Sequence, residues 1–267
     1  MIICKSSAEI KRMRIANALV AEILGALEAA VGPSVTTKDL DELADQMIQK
    51  AGAVSAFKGY RGYPSTLCVS INEQVVHGIP SNRQLVEGDI VSLDMGVLLD
   101  GFYGDSALTI GVGEIDPDVA KLLVVTKKSL IHAISKVRVG SRLSDLGHAV
   151  QSHVEANGFS VVREFVGHGI GASLHEEPQI PNYGEPGRGP RLTEGMVLAI
   201  EPMVTLGEPG VRVLDDGWTA VTCDGSFSAH FEHTVVVTAA GPEILTAREE
   251  SLKASGDGVQ MVEAFSE

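Results

Sequence analysis

Apolar residues recur every three or four positions over residues 7–31, where Ile10, Met13, Val20, Leu24, Leu27 and Val31 share one face and predict an amphipathic helix. Ser6 and Glu9 have capping-box spacing at its start, and Gly32-Pro33 stops it. A second helix is expected after Thr36 or Thr37, with Leu40, Leu43, Met47 and Ile48 inward and Gly52 closing it. The same grammar returns about 107 residues later. Asp116 is an N-cap candidate with Pro117 at the first helical position, opening a helix to about Val137, and Val139-Gly140 echoes Val31-Gly32. A fourth helix carries Leu146, Ala149, His153 and Val154 and ends near Gly158. Strand-like segments follow each helix pair: 66–71 and 90–110 after the first, then 161–166, 196–205, 210–214, 219–223 and 230–238 after the second.

This pattern predicts an α+β fold of two duplicated halves, about 7–113 and 116–247, with two sheets' worth of strands covered by four helices. The repeat lies in pattern more than in identity, so a chance likeness between helical segments is the competing reading. Nothing between the halves reads as a linker, which favours one fused domain over 1–267, with a peripheral tail from Ser251.

Composition narrows the classes. The 267 residues carry 35 acids against 21 bases, a formal charge of −14, with 44% hydrophobic and 21% charged residues. That is a foldable composition, and its charge disfavours nucleic acid and anionic membrane as partners. Cys4, Cys68 and Cys223 are far apart and odd in number, which argues against a disulfide framework or a zinc knuckle. The N-terminus lacks the apolar core of a signal peptide, and no apolar run reaches the ~18 residues of a membrane span. A soluble, cytoplasmic protein is expected.

Candidate chemistry begins at D-I-V-S-L-D-M-G-V-L-L-D-G-F-Y-G-D-S-A, which reads as two strands around a turn. A turn at Leu99-Asp100 would set Asp94 and Asp105 directly opposite; one at Asp100-Gly101 would set them diagonally. Both registers put them on one face. Two acids facing each other within apolar strands are costly unless they share a cation; an exposed pair on a wet sheet face is the bland alternative. Further on, V-G-H-G-I-G-A-S-L-H-E-E-P holds His168 and His175 in a glycine-rich turn. V-L-A-I-E-P-M-V and A-H-F-E-H-T-V-V-V-T place Glu201 and Glu232 in apolar strands, poor packing without a compensating charge. Two Asp, two Glu and one His form a hard, oxygen-rich ligand set, suited to Mn, Fe or Co at least as well as Zn. Shared carboxylates of this kind hold two metals about 3.5–4 Å apart.

In this order Asp94, Asp105, His168, Glu201 and Glu232 are similar to the ligands of the pita-bread metallopeptidase family. The motifs N-E-Q-V-V-H-G-I-P, D-G-F-Y-G-D, G-H-G-I-G-A-S-L-H-E-E-P, I-E-P-M and F-E-H-T resemble those of type I methionine aminopeptidases, over about residues 3–247. His168 and Glu201 lie 33 residues apart, which leaves no room for the helical insertion of type II enzymes. The chain opens on the first helix, so no N-terminal zinc-binding extension is expected.

The resemblance implies a pita-bread fold, with a curved antiparallel sheet and pseudo-twofold halves matching the repeat. It implies that Asp105 and Glu232 bridge two divalent ions, Asp94 binds one, and His168 with Glu201 completes the other. A water activated by the ions attacks the peptide carbonyl, Glu201 shuttles the proton, His175 steadies the oxyanion or scissile amide, and His77 contacts the amide nitrogen. Phe57, Tyr60, Tyr63, Cys68, Leu174 and Trp218, with His77 and His175, match the methionine pocket, where a thioether meets aromatic faces. Read singly, the six pocket residues are ordinary core. Leu174 stands where relatives commonly carry Phe, and His230 where they often carry Gln; two residues before Glu232, His230 should share its strand face, and a rim contact is expected of it over a sixth ligand. Asn72 and Ser228 match a monovalent-cation site of some relatives, with a turn hydrogen bond as the favoured reading. His132, His148 and His153 lack ligand spacing and read as structural or exposed. The expected substrates are peptides and nascent chains beginning with Met, with a small second residue, acted on by a monomer that docks at most weakly on ribosomes. The competing readings are an X-Pro dipeptidase or aminopeptidase of the same fold and a non-catalytic binding protein, the latter weakened because all five ligands are present.

Overall fold

The structure, a computed structural model, describes residues 1–248. Four helices form where the apolar periodicity predicts them: α1 (Ser7–Ala30), α2 (Thr37–Lys50), α3 (Pro117–Ser135) and α4 (Ser144–Ala156). Ser6 and Thr36 each complete a capping box, with Glu9 and Asp39 returning a bond to the cap backbone, and the Asp116 side chain accepts from Asp118 N–H ahead of α3. None of these helices is long and apolar enough to cross a membrane.

After α2 come β1 (Val54–Ser55), β2 (Cys68–Ile71), β3 (Gln74–Val76) and the hairpin β4 (Ile90–Leu99) with β5 (Phe102–Gly111). After α4 come β6 (Ser160–Val161), β7 (Gly167–Gly169), β8 (Glu176–Ile180), β9 (Val197–Ile200) and β10 (Met203–Thr205). These are followed by β11 (Val211–Val213), β12 (Ala220–Thr222), β13 (Ser228–His230), β14 (His233–Thr238) and β15 (Gly241–Ile244). All ladders are antiparallel. They divide into four groups rather than two sheets: β4 between β1, β2 and β5; β13-β10-β6; β11-β12-β3; and β15-β14-β9-β7-β8.

The segment expected as strand 161–166 pairs only over Ser160–Val161, opposite Thr205 and Val204 of β10, with one further bond from Val162 N–H to Met203 O at 3.0 Å. The expected strands 196–205 and 230–238 are each broken in two, at residues 201–202 and 231–232. The expected tail from Ser251 lies outside the described residues.

One large apolar cluster joins the helices to the strands. It takes Val20, Leu24 and Leu27 from α1, Leu40 and Ile48 from α2, Leu122 and Leu130 from α3, and Leu146 and Val150 from α4. These meet Leu93, Met95 and Val97 of β4 and Leu198, Val235 and Val237 of the second half. Each such side chain is worth roughly 1.5–3 kcal/mol of burial, which fixes the helices on the outer faces and leaves the opposite faces of the sheets to form a cleft.

Candidate active site

The hairpin register is set by its two-residue turn. Asp100 and Gly101 have φ of 50° and 77°, the left-handed pair of a tight hairpin turn, so Leu99 pairs with Phe102. Asp94 then lies opposite Ala107 and Asp105 opposite Gly96, the diagonal arrangement of the two read from the sequence. Gly96 is required by close approach: a β-carbon there would stand 3.0 Å from Ala56 Cβ and 3.1 Å from Phe57 Cε1. On its other edge β4 pairs Asp94 with Cys68.

Glu201 and Glu232 are mounted differently from the sequence expectation. Neither lies inside a strand. Ile200 pairs with His233 and Met203 with His230, and the ladder between these pairs is interrupted at Glu201-Pro202 on one side and Phe231-Glu232 on the other. Pro202 has no N–H to continue it. Released from β9, the Glu232 N–H donates instead to Ala107 O of β5 at 2.9 Å. Ser106 Oγ donates to Glu232 O at 2.6 Å and Thr234 Oγ1 to Asp105 O at 2.7 Å. Glu232 is thus clasped against the hairpin that carries the two acids of the first half, while Glu201 O accepts from Asn182 Nδ2 at 3.0 Å.

His168, on β7, has Nδ1 2.9 Å from Gly169 O. A carbonyl can only accept, so Nδ1 carries the proton and Nε2 presents its lone pair to the acids. Nε2 lies 3.6 Å from Glu201 Oε1 and 3.9 Å from Asp105 Oδ2, and donor atoms of Asp105, His168 and Glu232 all lie within 4.8 Å of one another.

Burial pushes the Asp94 carboxyl up to about 7. Burial, with the charge of Asp94 and of neighbouring acids, lifts Asp105, Glu201 and Glu232 well above the usual carboxylate range. Burial, with His175 nearby, pushes His168 down to about 4, keeping it neutral. Asp94 Oδ1, Asp105 Oδ1 and Glu232 Oε1 are buried without a hydrogen-bond partner among the described residues. Four carboxyls and a neutral imidazole, with unspent lone pairs, fit divalent cations with a taste for oxygen.

Beside the acids lies a cavity of ≈ 170 Å³ lined by Phe57, Tyr60, Tyr63, Cys68, His77, Leu174, His175 and Trp218, together with Asp94, Asp105, His168, Glu201 and Glu232. The fold brings every sequence-predicted site residue to this one place. Tyr60 Oη is 2.8 Å from His175 Nδ1, and the His168 and His175 rings are 4.3 Å apart. Tyr63 meets Trp218 edge-on at 5.1 Å and donates to Leu67 O and Gly78 O. His77 sits at φ 60°, a strained backbone for a side chain that must enter the cleft, and burial with His175 pushes its pKa down to about 4.

Sequence reasoning missed Arg61, which also lines the cavity, with φ 49° and its guanidinium 5.4 Å from the Tyr60 ring. Its only sequence signal is a charge between the two pocket tyrosines. His230 is a correction: it is 1% exposed rather than at the rim, because the Thr109 hydroxyl holds both its N–H and its C=O against β5. Asn72 spends its side chain on a turn, Nδ2 donating to Asp89 Oδ1 and Oδ1 accepting from Ile90 N–H, while Ser228 Oγ donates to Val204 O. His132, His148 and His153 do not line the cavity; His132 and His153 face each other between α3 and α4 with rings 4.6 Å apart.

Residues 11–239 match the model of metallopeptidase family M24. A methionine aminopeptidase of Clostridium perfringens is 53% identical over 246 residues, covering 92% of this chain and 99% of its own length. The crystal structure of a methionine aminopeptidase from Thermotoga maritima superposes with a TM-score of 0.92 at 48% identity, over 93% of this chain and all of that one. A prolidase from Pyrococcus furiosus superposes with a TM-score of 0.76 at 22% identity, over 92% of this chain and 66% of that one, a likeness of fold alone.

Proposed function

The chain belongs to metallopeptidase family M24, and from that premise we propose that it is a hydrolase removing the first methionine from peptides and nascent proteins, with a small second residue preferred. The observation that supports this best is the convergence of the acid cluster and the aromatic pocket on one cavity. Asp94, Asp105, His168, Glu201 and Glu232 would hold two divalent ions. When bound, such ions bring a water's pKa toward neutrality and polarise the peptide carbonyl.

The chain's own groups then divide the work. Glu201, whose carboxylate lines the cavity beside the substrate pocket, takes a proton on one oxygen and passes it to the leaving amine. Tyr60 donates its hydroxyl to His175 Nδ1, which leaves the His175 Nε2–H free to donate to the peptide oxygen as charge gathers there. Neutral His77 meets the scissile amide. Phe57, Tyr63, Leu174 and Trp218 close around a methionine side chain, where sulfur against ring edges is favourable.

Mn, Fe, Co and Zn all suit the ligand set, so the ion used follows from supply as much as from the site. The bonding of Asn72 supports a structural turn there over a monovalent cation. Three scattered free cysteines support a reducing, cytoplasmic compartment, and a charge of −14 supports a monomer whose contact with ribosomes is weak and local.

A peptide series tests the reading. Met-Ala-Ser should be cleaved and Xaa-Pro peptides should not, and Glu201→Gln should lower kcat by about 10²–10⁴-fold. Faster release of Xaa from Xaa-Pro, or full activity in the variant, would overturn it.

A further inference from the structure

Among the described residues the mechanism leaves two buried imidazoles without a task, His230 and His233, and His233 spends its Nδ1 on the Thr246 hydroxyl at 2.9 Å. His230, the last residue of β13, precedes Glu232 by two residues, at the point where the chain leaves its ladder for the hairpin. Its backbone is pinned on both sides: N–H donates to Thr109 Oγ1 at 2.9 Å, and Thr109 Oγ1 lies 2.8 Å from His230 O. Thr109 in turn shares a hydrogen bond of 2.8 Å with Ser92, inside the hairpin that carries Asp94 and Asp105. The ring is therefore held in place relative to the acids, yet neither Nδ1 nor Nε2 has a hydrogen-bond partner among the described residues.

What the ring faces is informative. His230 Nε2 lies 3.6 Å from Glu201 Oε2, and His168 Nε2 lies 3.6 Å from the other oxygen of the same carboxylate. Glu201 thus has an imidazole on each side at the same spacing. That spacing is too long for a hydrogen bond. It suits two donors that share an ion, because bonds of about 2.0–2.2 Å place neighbouring ligands roughly 3–4 Å apart. We propose that His230 is a further nitrogen donor of the metal centre, acting with His168 around Glu201. The proposal rests on the metal-centre reading and adds to it: a second imidazole moves the ligand set toward Co, Fe or Zn and away from Mn.

X-ray absorption on the full-length protein, stripped with chelator and reloaded with two equivalents of Co(II), decides the matter by counting imidazoles. The expected result is an average of about one per cobalt, falling by half in His230→Gln and equally in His168→Gln. Calorimetric titration should show Co(II) binding at least tenfold weaker in His230→Gln, with a smaller change for Mn(II). A wild-type average of one imidazole for every two cobalts would overturn the role of His230 and leave the metal centre standing, without need of any variant. Failure to retain cobalt, or no change in His168→Gln, would instead overturn the metal-centre reading itself.

Discussion

Tyr60 and His175 show how a single contact orders the cleft. A phenol hydroxyl 2.8 Å from Nδ1 fixes the aim of the imidazole, and burial, with Arg61 beside it, lowers the pKa of that ring. Removing one such bond costs about 1 kcal/mol, so Tyr60→Phe should lower kcat roughly fivefold with little change in Tm. Steady-state rates on Met-Ala-Ser would show it; an unchanged kcat would mean that His175 is aimed by something else. The acids were legible in the sequence because a charge among apolar strand residues has a cost that the sequence itself displays, as at Glu201 and Glu232. Arg61 was not, since an arginine near a turn is commonplace and only its left-handed backbone carries it into the cleft. For His230 the strand face was readable, but its depth depends on Thr109, a residue 121 positions earlier.

At the scale of elements, the loop that delivers Leu174 and His175 is tied down from the N-terminal segment. Lys5 Nζ pairs with Glu176 and donates to Ile3 O at 3.1 Å, while the Lys5 N–H donates to Gly195 O at 2.7 Å. Both charged side chains are nearly excluded from solvent. Breaking a buried pair strands the remaining charge, so Lys5→Met should lower the unfolding free energy by about 3–5 kcal/mol. Urea denaturation tests this, and a midpoint equal to wild type would contradict it. The helices were predictable because capping residues and apolar faces are local signals. The short strands β1, β3, β8 and β15 were not: β8 contains Glu176, Glu177, Pro178 and Gln179, poor strand formers that pair only because β7 lies beside them. The breaks at Glu201 and Glu232 are likewise tertiary, since Glu232 leaves its ladder only because Ala107 O is there to receive its N–H.

Across the whole molecule the cleft weighs on stability through pH. His168 and His77, pushed down to about 4, are neutral in native and unfolded chains alike above their usual value of 6.5 and drop out there. The carboxyls do not. Asp94 moves from 3.8 when unfolded to about 7 when folded, and the other three are also raised. Their contribution is present below the unfolded value and is lost as pH climbs through the folded one, because the native state must then hold buried charge. Metal-free protein should therefore lose stability from pH 6.5 to 8, and Co(II) should raise Tm more at pH 8 than at 6.5. Calorimetry with and without chelator would reveal the trend; a metal shift indifferent to pH would rule it out. The seam between hairpin and second half has a last implication. Ser106 and Glu232, bonded across it, are 126 residues apart in the chain. An ion held by Asp105 and Glu232 would thus be a reversible cross-link closing a loop of almost half the polypeptide, comparable in topology to a disulfide but governed by cation supply instead of redox state. Metal loading would then belong to the maturation of the chain as well as to its turnover.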